Sequence, residues 1–177
     1  MINIRIISFL LAGTILFFLL LRFQGKLETT NSPLGIVSLE IAHNANTIRD
    51  INTSWENEGM TKQAKANVWI DFFFIPFYAM LFYTLCGSIS IRMQGFPAKL
   101  GVLLAFGSLV AGLFDMAENV LMLFSLAGHY NNFSAILTTI FSTAKFFFLF
   151  LALIYVFALG LRIILLRLIG KSYHVQV

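Results

Sequence analysis

Four ionisable residues, Asp71, Asp115, Glu118 and Lys145, stand inside apolar runs where hydrocarbon would surround them. A charge near the centre of a membrane helix costs about 2.5–3.5 kcal/mol on insertion scales, so such groups face a partner or a watery cavity. Asp115 and Glu118 are three residues apart, and Asp115 and Asn119 four, which sets all three on one helix face. The same face carries Ser108, Ala111 and Gly112, small residues that let a neighbouring backbone approach. Lys145 belongs to a second stripe with Thr138, Ser142, Ala152 and Tyr155. At about 1.5 Å per residue from outer ends near Ala127 and Ala135, Glu118 lies about 13 Å deep, Lys145 about 15 Å and Asp115 about 18 Å. The amine therefore falls between the two carboxylates in depth. Asp71 is about 6 Å in on the same scale, with Asn67 one turn above and Tyr78 two turns below. Pro76 lies between and can kink the helix, freeing a carbonyl to line a cavity.

Three carboxylates against one ammonium leave a formal charge of minus two, which protons, a cation or a cationic ligand must neutralise in low dielectric. That constellation suits a polar intramembrane site which binds or moves a small cationic or amphipathic molecule, or protons. Asp115 and Glu118 are then the compensating acids, Lys145 their modulator, Asn119 their neighbour, and Asp71 with Tyr78 the outer gate. A second chemistry is an intramembrane acid/base enzyme acting on a lipid or isoprenoid, with Asp115 and Glu118 as the candidate catalytic pair. A third reading is structural: Lys145 and Asp115 form an ion pair between helices, Glu118 bonds to Asn119, Asp71 reaches interfacial water, and the chain is an accessory or assembly subunit.

Composition says which elements must hold these groups. Of 177 residues, 59% are hydrophobic and 11% charged, with a mean hydropathy of +0.86, whereas a soluble domain carries about 25% charged residues. A soluble globule is excluded, because so little charge cannot cover a water-facing surface. Charge-free stretches predict four spans at about 5–23, 67–91, 100–127 and 135–161, near the roughly 20 apolar residues that cross a bilayer. The predicted fold class is all-α, an integral membrane four-helix bundle forming a single membrane domain over 1–177. Arg5 before an apolar core could signal secretion, but no small-x-small cleavage site follows, and the first span is read as retained.

Between the first two spans, Leu34, Val37, Ile41, Ala45, Ile48, Ile51 and Trp55 recur three or four apart, which predicts an amphipathic helix over 32–58. Ser32-Pro33 reads as its cap and first residue. This helix would lie on the bilayer or cap the bundle as a lid, with Trp55 at headgroup level and Glu40 and His43 on its outer rim. Glu40-x-x-His43 together with Asp115-x-x-Glu118 could complete a carboxylate-rich metal site, although solvated Glu and His need no metal; no other cofactor is expected.

The net charge of +4 is ordinary for a membrane protein, whose basic residues gather at helix ends, and implies no nucleic-acid partner. The expected partners are the bilayer and a small amphipathic or cationic ligand, with an oligomer open. The connection at 92–99 carries Arg92 and Lys99, and that at 128–134 carries no basic residue but His129. Counting Lys and Arg in short loops puts both termini in the cytoplasm of a cytoplasmic-membrane protein, and the sequons at Asn52 and Asn132 outside. A lone Cys86 removes intrachain disulfides and Cys-based zinc sites. His129 and His174, in a loop and a tail, read as ordinary.

The segments Gly35-Ile-Val-Ser-Leu-Glu40-Ile-Ala, Asp71-Phe-Phe-Phe with Tyr78, Asp115-Met-Ala-Glu118-Asn119, and Lys145 resemble a group of small bacterial four-helix membrane proteins. The resemblance covers most of 33–155. It implies that Glu40, Trp55, Asp71, Asp115, Glu118, Asn119 and Lys145 belong together, and it supplies no activity. In span number and size the chain is also similar to the sterol isomerase and sigma-2 receptor fold, without that family's motifs, an analogy of architecture alone.

Overall fold

A computed structural model of the chain describes residues 4–23 and 26–168. His174, Lys171 and the rest of the tail from 169 onward lie outside the described residues, as does the Arg167 side chain. The described residues form helices α1 (Ile4–Phe23), α2 (Ile36–Glu40), α3 (Ala45–Asn57), α4 (Thr61–Ser90), α5 (Phe96–Leu126) and α6 (Asn132–Leu168). Four of these, α1, α4, α5 and α6, are long and apolar enough to cross a membrane. The chain is an all-α, multi-pass membrane bundle of four long helices.

The long helices start and stop where charge and turn chemistry dictate. Helix α4 begins earlier than its apolar run, because Lys62 and Lys65 sit exposed in its first turns. It continues through Pro76, which is exposed. Pro97 follows Gly95 in the first turn of α5, where a missing N–H leaves no bond unmade. Helix α5 is sandwiched between α4 and α6, whereas α1 packs along α4. Aromatic contacts join the latter pair, with Phe17 and Phe77 centroids 5.2 Å apart.

The connection between α1 and α4 departs from the expected single amphipathic helix. Gly35 sits at φ 61°, ψ −131°, a region that L side chains avoid, so no helix can run on from Pro33. Ser32 is not a cap; its hydroxyl donates to the Leu27 carbonyl at 2.7 Å. The helix stops again after Glu40, and Asn44 in extended conformation caps α3, accepting from the Thr47 N–H at 2.9 Å. A five-residue α2 and a thirteen-residue α3 result. The apolar side of α3, Ile48, Ile51 and Trp55, is buried with Leu39 against Val68, Met122 and Leu126 at the bundle's end.

Trp55 is enclosed by protein. It is 0% exposed, and its Nε1 donates to the Leu27 carbonyl at 2.9 Å and to Ser32 Oγ at 3.0 Å. The indole pins the strap that follows α1. Asn52 is buried, donating to the Ser125 carbonyl at 2.9 Å, and Asn132 Oδ1 accepts from the Ala45 N–H at 2.8 Å. Both sequon asparagines thus serve to seat α3 on the bundle.

Candidate functional site

The face predicted on α5 is the inward one: Ser108, Ala111, Gly112, Asp115, Glu118 and Asn119 are all buried. The closeness that small residues permit is direct, since a Cβ on Gly112 would lie 3.1 Å from the Ala79 Cβ of α4. On α6, Thr138, Ser142, Lys145, Ala152 and Tyr155 are buried as one stripe. The hydroxyls of Ser108 and Thr138 donate back to carbonyls four residues earlier, at 2.8 and 2.9 Å, leaving the centre of the interface to the charges.

At that centre stands Lys145. Its Nζ lies 2.7 Å from Asp115 Oδ1, 2.9 Å from Glu118 Oε2 and 3.4 Å from Glu40 Oε2. The amine sits between Asp115 and Glu118 as the depth count predicts. Tyr78 of α4 donates to Asp115 Oδ2 at 2.5 Å, so both oxygens of that carboxylate are held. Glu118 is 0% exposed, and its Oε1 has no hydrogen-bond partner among the described residues. It does not bond to Asn119, which instead donates to Asp71 Oδ2 at 2.8 Å and ties α5 to α4. Asp71 is half-buried, and among the described residues no basic nitrogen lies within 4.0 Å of it.

Glu40 is the residue whose role sequence reasoning misplaced. It is expected on the outer rim of a lid, yet it is 9% exposed and turned into the bundle, where Ser142 Oγ donates to its Oε2 at 3.3 Å. The break after Glu40 makes this inward turn: the short α2 ends on the carboxylate while α3 leaves in a new direction. The signal was present in its neighbours, since Ser38, Leu39 and Ala42 are also buried, but an amphipathic reading of 32–58 spreads them over several faces. With Glu40 included the cluster holds four carboxylates to one ammonium, a formal minus three.

His43, by contrast, is exposed, its Nδ1 3.3 Å from the Ile41 carbonyl. Glu40 and His43 therefore do not converge, and among the described residues no three His, Cys, Asp or Glu side chains are arranged to hold a metal ion. His129, also exposed, stacks on Phe124 with centroids 4.4 Å apart. Trp55 lies in the apolar cluster under α3, apart from the charges. Cys86 is buried and free in the opposite half of the bundle.

The charged cluster is not solid. A cavity of about 660 Å³ opens between α1, α2, α4, α5 and α6, with Glu40, Asp71, Tyr78, Asp115, Asn119 and Lys145 on its wall. Above this polar band the cavity reaches Arg22, Lys26 and Asn67; below it the walls are Phe74, Phe82 and Leu149. Glu118 does not line it. A volume in the range of small-molecule sites, mostly apolar walls and a few convergent polar groups are the features of a ligand pocket. The charged lining comprises the carboxylates of Glu28, Glu40, Asp71 and Asp115 and the cations of Arg22, Lys26 and Lys145, with the Tyr78 phenol among them. Comparison of the chain with protein-family models, with curated proteins and with solved structures finds no match, so the site is read from its own geometry.

Proposed function

We propose that the chain is a membrane binding protein for a small cationic amphiphile, held with its ammonium group at Asp71 and its apolar part against Phe74, Phe82 and Leu149. The observation that carries this reading is the pairing pattern inside the cavity. Lys145 is shared among Glu40, Asp115 and Glu118, whereas among the described residues Asp71 is bonded by the amide of Asn119 and lies beyond salt-bridge distance of any basic nitrogen. A half-buried carboxylate facing a pocket without its own cation is the natural seat for one supplied by a ligand. Glu40 on α2 closes the polar side, and its contact with Lys145 makes α2 a lid. We place the protein in the cytoplasmic membrane with both termini inside, on the basic residues of the 92–99 connection.

The test is retention of hexadecylamine against hexadecanol by the full chain in lipid nanodiscs, read by native mass spectrometry. Wild type should retain the amine over the alcohol, and Asp71→Asn should weaken amine retention about tenfold, the loss of one charge-assisted contact. Equal retention of both probes, or an unchanged Asp71→Asn variant, overturns the reading.

A second reading, an intramembrane acid/base enzyme on a lipid or isoprenoid, is favoured by one contact: the 2.5 Å bond from Tyr78 to Asp115 at the cavity wall. A phenol and a carboxyl this close can share and relay a proton. In that case Asp115→Asn and Tyr78→Phe abolish conversion of a copurified lipid while its binding survives.

A further inference from the structure

The cavity backs onto a second hollow across a shared wall. Phe82 of α4 and Phe146 and Leu149 of α6 line the cavity on one side and this second hollow, of about 650 Å³, on the other. The remaining walls of that hollow are Thr143, Phe147, Phe150 and Leu153 of α6. Phe147, Phe150 and Leu153 are exposed, so the hollow opens toward hydrocarbon. It contains no charged residue, and the Thr143 hydroxyl is already committed to the Thr139 carbonyl at 2.7 Å. To a ligand, then, this is an apolar groove. From Thr143 to Leu153 the helix rises about 15 Å, half of the roughly 30 Å hydrocarbon core and so the reach of one monolayer chain. Phe146 stands at the joint between groove and cavity, with Lys145 Nζ 5.1 Å from its ring centroid.

Resting on the reading of Asp71 as an ammonium seat, we infer that this groove holds the hydrocarbon chain of the same ligand, which makes the ligand a long-chain membrane amine that enters sideways between α4 and α6. The shared wall of Phe82, Phe146 and Leu149 and the one-monolayer length of the groove identify the occupant. A groove that served only bulk lipid would not need to back onto the carboxylates of Glu40, Asp71 and Asp115, and a water-soluble cation would leave it unused. One groove accepts one chain. The portal fixes the order of parts: the amine passes Phe146 toward Asp71, and the chain trails along Phe147 and Phe150. A neutral lipid of the same length gains the groove and nothing at the carboxylates, so discrimination comes from the head and retention from the tail.

The experiment uses the full chain in lipid nanodiscs and two photoreactive probes that share a diazirine-bearing hexadecyl chain, one ending in an amine and one in an alcohol. The amine probe should label 143–153 about tenfold above the alcohol probe, and unlabelled hexadecylamine should compete while propylamine at equal concentration does not. Thr143→Trp, at an exposed position, fills the groove and should cut hexadecylamine retention several-fold while leaving propylamine retention unchanged. If the amine is retained in an Asp71-dependent way but labels α1 and α6 evenly, or if Thr143→Trp leaves hexadecylamine untouched, the groove inference fails and the seat at Asp71 stands. If Asp71→Asn leaves groove labelling by the amine unchanged, the seat itself fails.

Discussion

The same three helices, α4, α5 and α6, are joined in two different ways along their length. In the half near α3 the contact runs through Asp71, Asp115, Glu118, Asn119 and Lys145, roofed by Glu40, and it encloses a cavity. In the other half it runs through Cys86, Ile89, Leu104, Ala105 and Ala152. Side-chain bonds between elements there go to backbone carbonyls: Tyr155 donates to the Pro97 carbonyl at 2.9 Å and Ser90 to the Ala98 carbonyl at 2.7 Å. Helices in lipid gain little from burying apolar surface and associate through close packing, which small residues permit. Among the described residues the apolar half achieves this with no salt bridge. On the proposed reading the charged layer, a formal minus three held at a desolvation cost, serves binding and is not the bundle's fastening.

The largest effect expected is at Lys145. Lys145→Met removes the one cation shared by Glu40, Asp115 and Glu118 and should cost about 3–5 kcal/mol, the usual penalty for stranding one side of a buried pair. Reversible unfolding in detergent micelles measures it. The comparison is sharpened by the triple variant Lys145→Met with Asp115→Asn and Glu118→Gln, which should recover most of the loss and, with Asp71 intact, still retain amine over alcohol. A triple variant as unstable as Lys145→Met alone would break the comparison, because the charged layer would then be a fastening.

The matching perturbation in the apolar half is smaller. A Cβ on Gly101 would collide with the Tyr155 hydroxyl and crowd Ser90, so Gly101→Ala should push Tyr155 off the Pro97 carbonyl and cost about 1–3 kcal/mol, as overpacking does. Amine retention should be unaffected, since none of these residues lines the cavity. A loss of retention equal to that of Asp71→Asn would mean that the two halves are one cooperative unit. Next in size is Trp55→Phe, which keeps an aromatic ring but removes the indole N–H, one of two donors to the Leu27 carbonyl, and its bond to the Ser32 hydroxyl. About 0.5–1.5 kcal/mol is at stake, concentrated in residues 26–35, whose amide hydrogen exchange should accelerate before that of α4 or α5 changes.

How far the residues announce this arrangement depends on which rule governs each. The four long helices follow from charge-free runs, because lipid forces every backbone group into an internal bond and lets no other element cross. The inward face of α5 follows from helical period alone, and the level of Lys145 from rise per residue. Glu40 and Trp55 obey neither rule. Their helix is cut by Gly35 at positive φ and by the Asn44 cap, and a cut of a few residues rotates every later side chain to a new direction. Seen as one continuous helix, 32–58 puts Glu40 at the rim and Trp55 among headgroups; seen as two, it drops Glu40 onto Lys145 and Trp55 onto Leu27. The cavity is still less legible, since it is the gap left where α1 packs on α4 without closing against α6, and no local pattern encodes a gap.

The smallest effect expected is also the one that tests the boundary of the charged half. His43 is three residues from Glu40 and shares with it the spacing of a bundle metal ligand, yet the imidazole is exposed and rests against the Ile41 carbonyl. Exposed positions away from caps and networks change stability by no more than about 0.5 kcal/mol, so His43→Ala should leave both unfolding and hexadecylamine retention where they are in wild type. Glu40→Gln, one turn away, should not be silent, because it withdraws one of the three carboxylates around Lys145 and loosens α2 over the cavity. The pair of variants draws the edge of the site between residues 40 and 43. If His43→Ala instead weakened retention as much as Glu40→Gln, the imidazole would have to turn inward in the working state, and the polar layer would extend past the break that now ends α2.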